Sequence, residues 1–203
     1  MKKNDCFDLV YLSIDSLSEG VGSSQIKPLI SRLSKTGLKI NLISYEKSKP
    51  SLELMDYFKS IGVNWSFRHF GSNGLIGGVE RLNNLRLAIP NTNLIHARSD
   101  IPAAAAVLRF PFGRILWDVR SLWADQRRII GSKGWNRATA GAAKFLERIA
   151  ASRSTAMTTL THAVVPVLEN RYRKLPIIRE VIPTCTQLDK FVVSKMPNEP
   201  LIC

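Results

Sequence analysis

Acidic residues are scarce in this sequence: 16 Asp and Glu stand against 29 Lys and Arg, a formal net charge of +13. Such a field repels cationic partners and attracts anionic ones, whether nucleic acid, an anionic membrane surface or a phosphorylated substrate. Long apolar runs are missing. No stretch of 18 uncharged apolar residues occurs, which excludes a membrane-spanning helix. The opening residues "MKKNDCFDLVYLSID" place Asp5 and Asp8 where a secretory signal needs its apolar stretch, so a cytoplasmic protein is expected. Cysteine is sparse as well. Cys6, Cys185 and Cys203 are an odd number without metal-ligand spacing, which argues against both a disulfide framework and a zinc knuckle. Neither an Asp-x-Asp dyad nor a cluster of histidines and carboxylates is present, so no metal and no cofactor are expected. Internal repeats, low-complexity tracts, zinc-finger patterns and RNP sequences are also lacking.

What is there is globular. Hydrophobic residues make up 45% and charged residues 22%, and 203 residues suffice to bury a sizeable core. The basic excess is concentrated: residues 109–179 carry 14 Lys or Arg against four acids, Asp118, Asp125, Glu147 and Glu169. A solvated basic face kept for solubility is the plain alternative to an anion-binding role.

Apolar and amphipathic segments alternate along the chain. "CFDLVYLSI" (6–14) reads as a strand and "SSQIKPLISRLSKTG" (23–37) as a helix, with Ile26, Leu29, Ile30 and Leu33 on one face and Gly37 as its stop. Pro28, in the first turns, is placed to kink that helix slightly. Further strands are expected at 38–46, 63–70, 92–99, 114–121, 154–161 and 177–184. Helices are expected at 51–62, 79–89, 100–110, 135–153 and 162–174, with a glycine-rich loop at 71–78. Strands separated by helices need crossover connections, which predicts an α/β fold with a mainly parallel sheet and helices on both faces.

Ligands of such sheets bind beyond the carboxyl ends of the strands, so those ends hold the candidate residues. After the first strand, "SEGVGSSQ" carries Gly20 and Gly22 but has Gln25 where a dinucleotide fingerprint needs its third glycine. It is either a tight turn or a cradle for an anion at the start of the next helix. Glu46, ending the second strand, is the nearest acid to a ribose-binding position. The fourth strand ends in His96-Ala97-Arg98-Ser99-Asp100, with His96 and Arg98 on one side and Ser99 or Asp100 placed to cap the next helix. The fifth ends in "WDVRSLWADQRR", with Asp118 and Arg120 on one side. An Asp118–arginine ion pair is the structural reading. The functional one is a phosphate- or sugar-binding cleft made of two arginine-bearing strand ends opposite a glycine loop.

The segments "LSEGVGSSQIKPLISRLSKTGLKINLIS", "LIHARSD", "LWDVRSLWADQR", "FLERIAASRSTAMTTLTHAV" and "VIPTCTQLDKF" resemble the N-terminal domain of family 4 glycosyltransferases, over residues 8–191. The resemblance implies the GT-B architecture, two Rossmann-like domains facing across a cleft. It divides the chain into an acceptor-side domain at 1–185, followed at 186–203 by a linker and the start of a C-terminal domain. It places Gly20, Gly22, Ser23, His96, Arg98 and Ser99 near the donor diphosphate, and Asp118 and Arg120 at the transferred sugar. Relatives carry histidine where this chain has Arg120, and often where it has Arg98; Gln187 stands where they have aspartate.

The activity implied is retaining, metal-independent transfer of a sugar from a nucleotide-sugar, a co-substrate held mainly by the C-terminal domain, to a carbohydrate or lipid-linked acceptor. That transfer is expected in cell-surface polysaccharide or glycolipid synthesis, and this half alone is expected to be inactive or nearly so. The basic excess then suits an anionic inner membrane surface, with Trp123, Arg127, Arg128, Lys133, Trp135 and Arg137 as candidate membrane or acceptor contacts. Two alternatives are a non-catalytic subunit that borrows its donor site from a partner, and a basic nucleic-acid-binding module.

Overall fold

A computed structural model of the chain describes residues 6–130 and 134–184. Seven strands form one all-parallel sheet: β1 (Phe7–Leu12), β2 (Ile40–Glu46), β3 (Asn64–His69), β4 (Thr92–Arg98), β5 (Ile115–Val119), β6 (Ala156–Thr159) and β7 (Ile178–Val181). Their order across the sheet is β3-β2-β1-β4-β5-β6-β7. The order reverses between β1 and β4, the switch point of a doubly wound, Rossmann-like sheet. The expected α/β architecture is therefore observed.

The helices are α1 (Lys27–Ser34), α2 (Leu52–Ser60), α3 (Gly74–Ala88), α4 (Asp100–Arg109), α5 (Trp123–Ile130), α6 (Gly134–Arg153) and α7 (Val164–Arg171). Because side chains alternate along a strand, β1 feeds two cores. Leu9 and Tyr11 pack with Ile26, Ile30 and Phe58 beneath α1 and α2. Val10 and Leu12 pack with Leu85, Trp117 and the alanines of α4 beneath α3, α4, α6 and α7. Ala103–Ala106 are fully buried, and small side chains let α4 lie close to both the sheet and α6.

Three local expectations are corrected. The segment at 71–78 is not all loop, since α3 begins at Gly74. "WADQRR" lies in a helix of its own, α5, which short length and dense charge hide from a periodicity reading. And α1 is preceded by a π-helical turn, Gly22–Ile26, rather than starting directly. Pro28 lies just beyond that turn and has no N–H to give, which accounts for the irregular entry better than a kink.

Candidate functional site at the switch point

The loop after β1 is built from Glu46. This buried carboxylate, at the end of β2, accepts hydrogen bonds from Ser16 Oγ (2.5 Å), Leu17 N (2.8 Å), Ser18 Oγ (2.9 Å) and Ser44 Oγ (2.9 Å). Glu46 is thus a loop anchor, and none of these bonds leaves it facing a ribose. With residues 16–18 fixed, the chain turns back on them so tightly that a Cβ on Gly22 would sit 1.8 Å from the Ser16 carbonyl oxygen. Gly20 is needed for another reason, its left-handed φ of +55°. Ser23 and Ser24 then donate to the Gly20 carbonyl at 3.0 and 2.9 Å. The two glycines are demanded by the turn itself, and they line a cavity of about 370 Å³ with Ser16, Glu19 and Lys47.

Across the switch point the predicted residues come together. Arg98 pairs with Asp118 in the β4–β5 register. Its Nε donates to Asp15 at 2.8 Å, its Nη2 to Gln25 Oε1 at 2.7 Å, and its Nη1 lies 3.7 Å from Asp118. Arg120 Nη2 donates to the same Gln25 oxygen at 2.6 Å and to Thr184 Oγ1 at 3.2 Å, while Nη1 meets Asp118 Oδ1 at 3.5 Å. His96 Nε2 stands 3.5 Å from Asp118 Oδ2 with no closer hydrogen bond, and its ring packs on Tyr11 at 4.5 Å. Thr158 completes the set by donating to Asp118 at 3.2 Å.

The electrostatics follow from this crowding. Burial alone raises the Asp118 carboxyl, but His96, Arg120 and Arg98 outweigh it and hold the group below the ordinary carboxylate range. Burial disfavours charge on Arg98 too, yet Tyr11, Asp15 and Asp118 keep it above its usual value. Burial pushes the Tyr11 hydroxyl up. Asp118 is therefore an ionised hub at neutral pH. Arg98, with only 5% of its side chain exposed, has its charge matched by two carboxylates. Arg120 differs. It keeps a buried Nε without a partner and faces a cavity of about 280 Å³ lined by Arg32, Arg98, Arg120 and the single carboxylate of Asp118. With Asp15 offsetting Arg98, three guanidiniums stand against two carboxylates, and the one positive charge left over makes that cavity a place for an anion.

Ser99 departs from expectation. Its side chain caps nothing; instead its backbone is held at φ +75° by an N–H bond to the Asp118 carbonyl, 2.9 Å. A serine in the left-handed region is strained, and strain of this kind gathers at ligand sites. Asp100 does not cap α4 either. It is buried, accepts from Trp117 Nε1 at 3.2 Å, and burial, with Glu147 adding to it, pushes its carboxyl up to about 7.

The proposed membrane or acceptor contacts separate. Trp123 is half-buried and lines two cavities at the carboxyl edge. Arg128 is exposed. Arg127 falls on α5 and Trp135 and Arg137 on α6, but their side chains, and all of Lys133, lie outside the described residues, as does the expected linker at 186–203. Among the described residues no helix is long and apolar enough to cross a membrane.

Sequence reading missed Asp15, Gln25, Thr158 and Thr184. Gln25 had one visible signal, its place where a fingerprint glycine was absent. Its partner Arg120 is 95 residues away, beyond any local pattern.

No family model matches the chain, and no curated protein matches it. Solved structures do, 18 chains among them. One is the apo structure of UGT2 from Phytolacca americana, a plant UDP-glycosyltransferase of GT-B fold, similar at 10% identity with a TM-score of 0.56 over 89% of this chain and 53% of that one. The chain thus spans about half the length of the structure it matches, and its Rossmann-like unit is the fold seen in GT-B glycosyltransferases.

Proposed function

We propose that the chain is the acceptor-side half of a GT-B glycosyltransferase of the family 4 type. It would act with a donor-binding half to move a sugar from a nucleotide-sugar to an acceptor hydroxyl, with retention and without a metal, in cell-surface polysaccharide or glycolipid synthesis at an anionic membrane face. The observation that carries this is Arg120: a guanidinium with an unpartnered buried Nε, in a cavity with excess positive charge, at the carboxyl edge of a GT-B-type sheet.

The chemistry assigned to it is electrostatic. As the bond from the sugar's anomeric carbon to the diphosphate breaks, negative charge grows on the leaving phosphate; the acceptor oxygen bonds that carbon and its hydroxyl proton passes to the departing diphosphate oxygen. A guanidinium already oriented by Gln25 and Asp118 stabilises that charge without reorganising. Asp118 holds Arg120 and His96 in register, and Gln25 keeps both arginines aimed alike. The loop of Gly20, Gly22 and Ser23 supplies close backbone approach, while Arg98, already paired, serves as a brace more than as a phosphate ligand.

The test is transfer from a panel of radiolabelled nucleotide-sugars to endogenous lipid and polysaccharide, in membranes from cells expressing the chain with its donor half. Label incorporation above the empty-vector level is expected, falling about 100-fold or more in Arg120→Ala, the loss of one oriented donor. Undiminished incorporation in that variant, with the chain folded, overturns the assignment.

A further inference from the structure

A second cavity, of about 620 Å³, opens on the other face of the sheet, between α3 and α6. Its floor is Ile14, Ile101 and Trp123, all just past strand ends, so it adjoins the switch-point site. The size is that of a small-molecule pocket. Its rim is unusual for a surface in water: Val79 of α3 and Phe145 of α6 are 65% and 63% exposed. Exposed apolar side chains at the mouth of an apolar cavity mark a surface that something covers.

One wall is not apolar. Arg81, only 7% exposed, lines the cavity from α3. Its Nη1 donates to the Phe70 and Ser72 carbonyls at 3.1 and 2.8 Å, and its guanidinium stacks 4.4 Å over the Phe70 ring. Its Nε is buried with no partner, and among the described residues no carboxylate forms an ion pair with it. Burial lowers its guanidinium below the usual value, with Tyr45 and the nearby Glu80 carboxylate acting in the opposite direction. Beside it the first turn of α3, Asn73 and Gly74, lines the same cavity with no side-chain cap on its N–H groups. An uncapped helix start and, beside it, a buried cation that no direct ion pair closes together favour an anion.

We propose that this cavity binds a single-chain anionic amphiphile of the alkyl phosphate class, its head at Arg81 and the start of α3 and its chain between Val79 and Phe145. On the transferase reading, from which this proposal takes its biological role, that amphiphile is the acceptor or its lipid carrier. Charge complementarity selects the anion, and the apolar walls and rim select the chain.

The experiment is titration calorimetry of the whole chain with octyl, decyl and dodecyl phosphate below their micelle concentrations, with dodecyl maltoside and inorganic phosphate as controls. One saturable site is expected, tightening about tenfold for each added pair of methylenes while the cavity has room. The maltoside should bind at least tenfold more weakly, and inorganic phosphate not measurably. A Cβ on Gly78 would meet nothing within 4 Å, so Gly78→Trp fills the cavity from its wall; it should abolish binding while leaving the unfolding midpoint unchanged. Phe145→Glu, at an exposed position, is the second variant and should weaken dodecyl phosphate at least tenfold.

Equal binding of maltoside and alkyl phosphate overturns the anion assignment. Unchanged binding in either folded variant, or tight binding of inorganic phosphate alone, overturns the site. No nucleotide-sugar enters this assay, so its failure leaves sugar transfer standing, and failure of the Arg120→Ala test leaves this pocket standing.

Discussion

Replacing Asp100 by asparagine should make the protein more stable at neutral pH and flatten its pH dependence. The carboxyl is buried at the start of α4, accepts one hydrogen bond from Trp117 and faces Glu147. Its pKa stands near 7 against an unperturbed 3.8. The folded chain therefore holds this proton more tightly than the unfolded chain, and between those values stability falls as pH rises. A shift of that size corresponds to about 4 kcal/mol between the ends of the window. Asparagine keeps an oxygen for Trp117 and cannot ionise. Urea unfolding of wild type and Asp100→Asn from pH 4 to pH 8 is the assay. The two should be similar near pH 4, with the variant gaining on wild type by roughly 2–4 kcal/mol at pH 8. Parallel curves across the window would refute the reasoning, because they would mean Asp100 titrates alike in both states.

Two further perturbations probe the frame of the site. Gly22→Ala forces a Cβ onto the Ser16 carbonyl and should cost about 1–3 kcal/mol, as overpacking does. Gly20→Ala has open space and suffers only its left-handed φ, about 1 kcal/mol; the reverse order in urea unfolding would show that the close approach is not what demands Gly22. Arg171 bridges Asp125 and Glu147, and Glu147 is 1% exposed. Arg171→Met leaves that carboxylate without its cation, with the Tyr172 hydroxyl still donating to it, and should cost about 3–5 kcal/mol. Adding Glu147→Gln should recover much of the loss in a double-mutant cycle, and strict additivity would show that the pair is uncoupled.

Part of this protein was legible in its residues alone. Alternating strand and helix patterns determined a parallel sheet with helices on both faces, because each pattern is written within one segment and the crossover requirement follows from chain geometry. The strand ends, and with them Arg98, Asp118, Arg120 and the Gly20–Gly22 turn, were legible for the same reason. Tertiary structure decided the rest. Gln25 clamps two arginines, Asp15 neutralises one of them, Glu46 anchors a loop instead of facing a ribose, and Ser99 bends into the left-handed region to reach the Asp118 carbonyl. Each of these is a contact between segments far apart in the chain. Such pairings depend on strand order and register, and no local period encodes which strand ends will meet at the switch point.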